Sequence, residues 1–421
     1  MKTKPIQQNI PDGWQEPKLA SIGVFSKGSG ITKEELSNTG HNAIRYGELY
    51  TKFNFKIENI YSYIPTKIIP MTTKIKYGDI LFAGSGETIE EIGKSAAYLL
   101  HEDCYAGGDL IIFRPKNTNS LFLSYLLNVG EGRKKLRELG QGQAIVHIYK
   151  SDIENIKLNL PPLPEQNRIV AVLETWDKAI EKLTKKIESK GRIKKGLMQN
   201  LLTGKKRLIG YTDKWRFIKL GQIASFKKGK GLSKSELLPT GRYEAIHYGE
   251  LFTKYNEKIE YILSKTNSYS NMFLSKKNDI LMPTSDVTPR GLSTASYVDK
   301  DGIILGGDIL VIRSSRDLNG LYFAYYVKSN KKEVIKLVSG STVFHLYGSD
   351  MAKFKLNLPP LKEQESISNV LTIADKEIKE LKNKLSLLKD QKKYLLNNLI
   401  TGKIRTTVNM ANSPQLKIGP T

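Results

Sequence analysis

The chain has 421 residues, of which 39% are hydrophobic and 26% are charged, so its domains can bury apolar cores. No apolar run approaches the roughly 18–20 residues of a membrane span, no signal-peptide pattern is present, and one cysteine, Cys104, excludes internal disulfides and multi-cysteine zinc sites, which favours the cytoplasm. Lys and Arg outnumber Asp and Glu by 66 to 42, and the net charge of +24 at pH 7 favours nucleic acid as the partner over a surplus of solvated charge.

One module is written twice in tandem. Residues 44–52 (IRYGELYTK) return as residues 246–254 (IHYGELFTK), and residues 147–152 (HIYKSD) return as residues 345–350 (HLYGSD). The period of about 200 residues is far longer than the roughly 20–50 residues of a solenoid repeat. It is the length of a whole domain with an added segment.

Each copy begins with short elements of both kinds. The first copy starts at Trp14 and the second at Trp215. Gly or Asn followed by Asp before an apolar triplet is typical of a turn that enters a strand. The predicted strands are residues 20–26, 79–82 and 110–113, with counterparts at 222–226, 279–282 and 309–312; the predicted helices are 120–127 and 132–139, with counterparts at 321–328 and 331–338. This mixture favours an α+β fold class over a doubly wound sheet.

Each copy ends in a long helix with one apolar stripe. Pro164 and Glu165 suit the first turn of the first helix, and Gly204 and Gly402 are predicted caps at the two C-terminal ends. Apolar residues recur at alternating spacings of four and three, which is the seam of a coiled coil. The predicted seam residues are Ile169, Leu173, Trp176, Ile180, Leu183, Ile187, Ile367, Leu371, Ala374, Ile378, Leu381, Leu385 and Leu388.

A long helix with such a stripe needs a partner. We expect the two helices to pair antiparallel with each other, with the globular parts at opposite ends and related by a pseudo-two-fold axis. The alternative is that each helix packs on its own globular domain. Trp176 corresponds to the smaller Ala374, which indicates that the two helices pack asymmetrically.

No catalytic constellation recurs in both copies. Residues 82–86 (FAGSG) match a short loop of adenosylmethionine-dependent methyltransferases, but residues 282–286 lack its glycines. Gly93-Lys94-Ser95 resembles the end of a P-loop, yet Thr88 stands where that motif requires glycine. The sequence therefore predicts no catalytic residue, bound cofactor or metal ligand, and leaves open an enzyme that uses Gly84 and Gly86.

Basic, polar and aromatic loop residues remain as candidates for contact with DNA. The Gly-rich turns at residues 27–30 and 227–231 could hold phosphates through backbone amides and lysines, or be solvated turns. Arg45 in the first copy corresponds to His247 in the second, within an otherwise preserved segment. Residues 87–94 likewise differ completely from the corresponding residues 288–293. Such differences between the copies are expected of positions that read bases. The candidates are Lys27, Ser29, Arg45, Tyr46, Lys52, Thr88, Lys94, His147, Tyr149, Lys228, Lys230, His247, Tyr248, Lys254, Thr288, Arg290, Ser293, His345 and Tyr347. Structural roles are open alternatives for the tyrosines at 46 and 248 and the histidines at 147 and 345.

The doubled layout resembles the specificity subunit of Type I restriction–modification enzymes. Residues 160–166 and 358–364 both read Leu-Pro-Pro-Leu-x-Glu-Gln, and each segment follows a His-x-Tyr-x-Ser-Asp motif and precedes a long helix. The resemblance extends from Trp14 to about Arg405. It implies that each globular part is a target-recognition domain for one half of a bipartite site in double-stranded DNA, and that the helices set the spacer and dock two methyltransferase subunits.

The resemblance also implies a non-catalytic chain, with adenosylmethionine, ATP and magnesium bound by its partners, among them ATP-driven restriction subunits. The predicted domains are target-recognition domain 1 (1–160), a central spacer helix (161–206), target-recognition domain 2 (207–358), a C-terminal spacer helix (359–405) and a disordered tail (406–421). Two alternatives stay open. One is a recognition chain of a stand-alone methylation system or of another restriction type; the other is a basic coiled-coil scaffold that binds nucleic acid without sequence choice.

Overall fold

A computed structural model describes residues 10–406. These residues form two compact units. Unit 2 comprises residues 184–383, and unit 1 comprises the described residues on both sides of that stretch. The two ends of the described chain therefore lie in the same unit. All of the predicted tail except Thr406 lies outside the described residues.

Unit 1 contains a five-stranded sheet, a four-stranded sheet and one isolated strand pair. The strands are β1 (Gly23–Lys27), β2 (His41–Ile44), β3 (Lys56–Ile57), β4 (Ser62–Ile64), β5 (Thr73–Ile75), β6 (Ile80–Ala83), β7 (Ser85–Gly86), β8 (Ser95–Tyr98), β9 (Cys104–Ala106), β10 (Leu110–Pro115) and β11 (Val146–His147). The helices are α1 (Tyr46–Thr51), α2 (Ser120–Asn128), α3 (Gly130–Glu138), α4 (Lys150–Ile153) and α5 (Leu163–Leu201), which extends into unit 2. The sheet orders are β1-β10-β6-β8-β3 and β4-β2-β9-β5, and β7 pairs with β11.

Unit 2 repeats this plan with two four-stranded sheets and two strand pairs. The strands are β12 (Arg216–Lys219), β13 (Ala224–Lys228), β14 (Tyr243–Ile246), β15 (Ser264–Thr266), β16 (Phe273–Leu274), β17 (Asp279–Pro283), β18 (Ser285–Asp286), β19 (Ser296–Val298), β20 (Ile304–Leu305), β21 (Ile309–Ser314), β22 (Phe344–His345) and β23 (Lys355–Leu358). The helices are α6 (Glu250–Thr253), α7 (Gly320–Ser329), α8 (Lys331–Ile335), α9 (Gly348–Met351) and α10 (Leu361–Leu399). The orders are β13-β21-β17-β19 and β15-β14-β20-β16, with pairs β18-β22 and β12-β23. The predicted mixed fold class is confirmed in both units.

The central strand β6 of the larger sheet in unit 1 is buried on both faces. Ile80 and Phe82 of β6 belong to one core cluster with Phe122 of α2, whereas Leu81 belongs to a second cluster with Ile44. Because β6 has no solvent-facing side, its sequence is a continuous apolar run rather than an alternating one. The same two clusters recur around β17 in unit 2.

The two long helices, α5 and α10, have 39 residues each and pack antiparallel within each unit. In unit 1, Ile169 near the start of α5 shares a core cluster with Leu399 at the end of α10, and Asp177 accepts a hydrogen bond of 2.5 Å from Lys392. In unit 2, the end of α5 shares a core with the start of α10. The predicted antiparallel pairing is therefore present, and every predicted seam residue is buried or half-buried.

A buried glutamate near the start of each long helix forms an ion pair with an arginine and stabilises the unit. In unit 2, Arg207 donates to Glu363 at 2.9 and 2.6 Å, and the Trp215 indole donates to the same carboxylate at 3.0 Å. Arg405 and Glu165 form the same pair in unit 1 at 2.8 and 2.9 Å. Burial acts to raise the pKa of Glu165, but the Arg405 guanidinium holds that pKa below its usual value. This role explains why the glutamate recurs in the two Leu-Pro-Pro-Leu-x-Glu-Gln segments.

A glycine lies three residues after the end of each long helix, close to the predicted C-terminal cap, and its amide donates to the carbonyl of the last helical residue. Gly204 and Gly402 have φ of +71° and +69°, the left-handed conformation that glycine adopts without steric cost. Gly191 and Gly196 differ from these two, because they lie inside α5 and an added Cβ would meet no atom within 4 Å.

Gly191→Ala and Gly196→Ala are expected to raise the free energy of unfolding by about 1 kcal/mol each, because alanine favours helix and both sites have room for a methyl group. Gly204→Ala is the matched control and is expected to lower it, since the new Cβ is strained and would lie 3.4 Å from the Trp215 ring. Urea unfolding measures all three variants. Equal shifts at the three positions would contradict the prediction.

Candidate nucleic-acid interface

Each unit holds a histidine beside a serine on a two-residue strand pair. In unit 1, β7 pairs with β11, and Ser85 Oγ lies 3.0 Å from His147 Nδ1. In unit 2, β18 pairs with β22, and Ser285 Oγ lies 3.0 Å from His345 Nδ1. The serine fixes the imidazole through Nδ1. Among residues 10–406, neither Nε2 has a hydrogen-bond partner, so this atom can serve an external ligand.

The pair in unit 1 lines a cleft of about 360 Å³, which we call the Ser–His cleft. Lys27, Asp109 and Tyr149 also line this cleft. Tyr149 is 52% exposed, and Lys27 and His147 are exposed as well, so all three side chains can reach a bound molecule. One lysine and one imidazole beside an aromatic ring suit contact with a phosphate backbone.

The same side chains recur around the pair in unit 2. Lys228 Nζ lies 3.3 Å from an Asp308 carboxylate oxygen, and the His345 and Tyr347 rings stack with centroids 5.9 Å apart. We use the name Ser–His cleft for this set of residues too. Because Asp308 pairs with Lys228, part of the positive charge at this position is neutralised within the protein.

In the described residues, each Ser–His pair has two of the three groups of a catalytic triad. A catalytic triad needs an acid that accepts a hydrogen bond from the histidine. In the described part of the chain, no carboxylate accepts one from His147 or His345. Nor does any group of three or more His, Cys, Asp or Glu residues among 10–406 have the arrangement of a metal site.

The glycines of residues 82–86 have a structural explanation. The Gly84 amide donates to the Asp109 carbonyl at 2.8 Å, and an added Cβ at Gly84 would lie 2.9 Å from that oxygen. Gly86 pairs with Val146 in the β7–β11 ladder. These glycines allow two backbone segments to approach closely. Their presence is therefore explained without a bound cofactor.

The prediction that backbone amides of the Gly-rich turns hold phosphates is wrong for Gly28 and Ser29. Their amides donate to the Leu110 and Ala106 carbonyls at 2.8 and 3.1 Å. The corresponding amides of Gly229 and Lys230 are used in the same way. Side chains remain available: Lys27, Lys228 and Lys230 are exposed, whereas the Ser29 hydroxyl lies 3.0 Å from the Thr73 hydroxyl.

The Arg45 and His247 frame caps a helix. Glu48 accepts from the Arg45 amide at 2.8 Å, and Glu250 accepts from the His247 amide at 2.9 Å, which accounts for the repeated Gly-Glu-Leu. His247 is half-buried, and this burial lowers its pKa below the usual value. Arg45 lines a different cleft of about 210 Å³, so it does not join the Ser–His cleft.

Four further candidates lie beside this frame. Tyr46 and Tyr248 are half-buried and pack against the cores of their units, which favours the structural interpretation. Lys52 is exposed and lies over the Tyr61 ring, and Lys254 pairs with the buried Glu250 at 3.1 Å. These lysines remain able to reach a phosphate, but each already has a partner in the protein.

The divergent loops begin directly after the serines of the two pairs. In unit 1, Thr88 is exposed, whereas Lys94 is half-buried and donates to the Tyr50 carbonyl at 3.3 Å. Burial lowers the pKa of Lys94. In unit 2, the Thr288 hydroxyl donates to Asp286 at 2.9 Å. Two loops of different chemistry thus leave the same frame at the same point.

Of the other candidates in the second loop, one is exposed and one is not. Arg290 is exposed to solvent. Ser293 is fully buried and donates to the Arg290 carbonyl at 2.7 Å. A buried hydroxyl with an internal acceptor cannot touch DNA directly, so Ser293 is withdrawn as a contact residue.

The serines and aspartates of the two clefts are not among the residues predicted from the sequence. Ser85 and Ser285 occupy the same position of the repeat although the residues after them differ. Asp109 and Asp308 close the repeated Gly-Gly-Asp segments. A position-by-position comparison of the two copies for polar residues kept beside divergent loops finds the two serines, and the repeated Gly-Gly-Asp segments mark the two aspartates.

Comparison with known proteins covers nearly the whole chain. A family model described as the Type I restriction modification DNA specificity domain matches residues 11–190 and 212–389. The chain is 26% identical to the Type I restriction enzyme MjaVIII specificity subunit of Methanocaldococcus jannaschii, covering 94% of both, and 22% identical to the EcoKI specificity subunit of Escherichia coli, covering 97% of this chain and 93% of that protein. The crystal structure of the S subunit of a Type I system from M. genitalium has the same fold, with a TM-score of 0.56 at 17% identity over 94% of this chain and 98% of that one. Each matched range contains one Ser–His cleft and its divergent loop.

Proposed function

Because this chain belongs to the Type I restriction modification DNA specificity family, we propose that each Ser–His cleft and the loop beside it contact double-stranded DNA. Each unit would then bind one half of a bipartite recognition sequence. The observation that carries this proposal is a repeated Ser–His frame from which two unlike loops emerge. A frame that is kept twice can hold the phosphate backbone, and loops that differ can select bases.

The candidate side chains divide by chemistry. We assign Lys27, Lys228 and Lys230, together with the two cleft histidines, to the phosphate backbone, because they are cationic or polar and belong to the shared frame. We assign Thr88, Thr288 and Arg290 to base edges, because they lie in the divergent loops. Arg45 and His247 stay candidates for base contact at a second position.

We further propose that two methyltransferase subunits dock on the long helices and that restriction subunits join them in the cytoplasm. The support is a set of apolar side chains on α5 and α10 that solvent reaches: Ile193, Ile373, Leu387 and Tyr394 are between 54% and 68% exposed. Exposed apolar surface is typical of docking sites. The partners would bind adenosylmethionine and ATP with magnesium and carry out all of the chemistry, so this chain would be non-catalytic.

Adenine-methylation mapping in cells that express this chain with its methyltransferase subunit tests the proposal. The expected result is one bipartite sequence methylated throughout the genome, and binding to a duplex of that sequence roughly 10³–10⁷ times tighter than to random DNA. A basic scaffold without sequence choice predicts equal affinities and no methylated motif. In a Type I system, deletion of the restriction subunit gene leaves methylation unchanged and abolishes restriction. A stand-alone methylation system has no such restriction activity to lose, so the deletion distinguishes the two alternatives.

A further inference from the structure

A hairpin tip beside each Ser–His cleft presents an aliphatic side chain to solvent. The tips are residues 141–145 in unit 1 and residues 339–343 in unit 2, and every residue in both is exposed. Ile145 is 58% exposed and Val343 is 45% exposed. Isolated apolar residues are common on protein surfaces. An aliphatic β-branched residue at the same tip in both copies is a shared feature that needs an explanation.

The tip of unit 1 has a defined backbone conformation. Gln141 and His147 exchange two backbone hydrogen bonds of 2.8 Å, and Gly142 has φ of +116°. An added Cβ at Gly142 would lie 2.2 Å from the Ile145 carbonyl oxygen, so only glycine allows this tight turn. The same features recur in unit 2 at Ser339, His345 and Gly340. Each tip is thus tied directly to the histidine of its cleft.

Two more exposed apolar residues accompany each tip. One is an aliphatic residue of the divergent loop and the other is the cleft tyrosine. They are Ile89 (47% exposed) and Tyr149 (52%) in unit 1, and Val287 (73%) and Tyr347 (53%) in unit 2. We call these residues with Ile145 or Val343 the apolar rim of each unit. In unit 1, Lys27 and Lys150 line the same cleft as Tyr149, in a chain of net charge +24, so an anionic polymer fits this surface better than a neutral protein does.

We propose that Ile145 and Val343 are wedges that enter a DNA groove and insert between neighbouring base pairs of the half-site bound by their unit. The inference rests on the proposed function, because it requires the Ser–His clefts to hold DNA. Aliphatic wedges partially unstack a base step, and such insertion is tolerant of sequence. Because insertion between base pairs does not depend on their sequence, the two tips can share an aliphatic residue while the loops beside them diverge. It also suits partners that modify a base, since such enzymes take the base out of the duplex.

The test uses the full chain in complex with its methyltransferase subunit and duplexes of the mapped recognition sequence. 2-Aminopurine is placed singly at positions of each half-site other than the methylated adenine and its two neighbours, where extrusion of the target base would itself raise the fluorescence. At the remaining positions its fluorescence rises when the base loses its stacking neighbour. The wild-type complex is expected to raise the fluorescence at one step in each half-site. Ile145→Ser is expected to abolish the rise in the half-site of unit 1 only, and Val343→Ser that of unit 2 only. Each variant should weaken binding of the half-site by roughly ten- to hundred-fold, because serine cannot fill the space between the unstacked base pairs.

Two controls separate insertion from general damage. Ile145→Val keeps an aliphatic β-branched wedge and should retain the signal. Ile209→Ser removes an aliphatic residue that is fully exposed away from the cleft and should also retain it. A fluorescence rise that persists in both Ser variants overturns the inference, whatever their affinity, and so does a wild-type complex that binds specifically without any rise. A wild-type complex that does not prefer the mapped sequence over random DNA refutes the proposed function itself.

Discussion

Replacing residues 86–91 of unit 1 by the residues found at 286–291 of unit 2, together with Tyr50→Phe, is expected to change the base sequence of the half-site that unit 1 selects. The other half should stay the same. Both segments leave the frame directly after the serine of a Ser–His pair, so the graft meets an equivalent strand end. The grafted segment keeps a threonine at position 88, where Thr288 takes the place of Thr88, and it brings Arg290, which we assign to base edges, in place of Glu90. The added arginine contact, at about 1–3 kcal/mol for a matching base, changes the base preference at that position by about 5- to 150-fold.

The local packing supports this graft. Asp286 accepts from the Val287 amide and the Thr288 hydroxyl at 2.7 and 2.9 Å, so the main hydrogen bonds of the loop travel with it. The variant Tyr50→Phe is needed because an added Cβ at position 86 would lie 3.0 Å from the Tyr50 hydroxyl. Phe252 occupies the corresponding place in unit 2, and the loop packs beside its ring.

Methylation mapping of cells that carry the exchanged chain measures the result. Tyr50→Phe alone is the matched control and should leave the methylated sequence unchanged. An unchanged unit 1 half-site in the exchanged chain, with methylation still active, would show that the loop does not select bases. Base choice would then lie elsewhere, for example at Arg45.

Periodicity and turn chemistry were sufficient to predict the helical parts of the fold. The seam residues follow from a spacing of four and three, and the two capping glycines follow from the left-handed conformation at a helix end. Both signals are local in sequence. The pairing of Glu165 with Arg405 is not local, because the two residues are 240 positions apart along the chain. The sequence showed this glutamate as an acidic helix start and gave no sign of its partner.

The candidate interface was predicted less completely for the same physical reason. The lysines of the Gly-rich turns were found, but the amides of those turns are consumed by strand neighbours more than 70 residues away, at Ala106 and Leu110. Ser293 looked like a loop hydroxyl and is buried, because the turn after Arg290 folds it inward. Burial and non-local hydrogen bonding decide which polar groups face a ligand, and neither is visible in residue type or spacing.

A fully buried carboxylate at the start of the central strand of each unit pairs with an arginine, and its removal should cost a large part of the unit's stability. Asp279 is fully buried, accepts from Arg313 at 2.9 and 2.8 Å and from the Lys276 amide at 2.7 Å. Asp79 and Arg114 form the same pair in unit 1 at 2.7 Å. Both pairs join the strand that precedes the cleft serine to its sheet neighbour, so they hold the Ser–His frame in place.

Asp279→Ala is expected to lower the free energy of unfolding by about 3–5 kcal/mol, because it leaves a half-buried guanidinium and a backbone amide without their acceptor. Glu138→Gln is the control: it removes an exposed ion pair with Lys134, and a loss below about 1 kcal/mol is expected. Urea unfolding followed by tryptophan fluorescence measures both, with Trp215 reporting on unit 2, which contains Asp279, and Trp14 reporting on unit 1, which contains Glu138. A loss for Asp279→Ala no greater than that of the control would contradict the argument. The double variant Asp279→Leu/Arg313→Met should recover part of the loss, since apolar side chains of similar volume can replace a buried ion pair. Such recovery would assign the effect to an uncompensated charge rather than to the shape of the site.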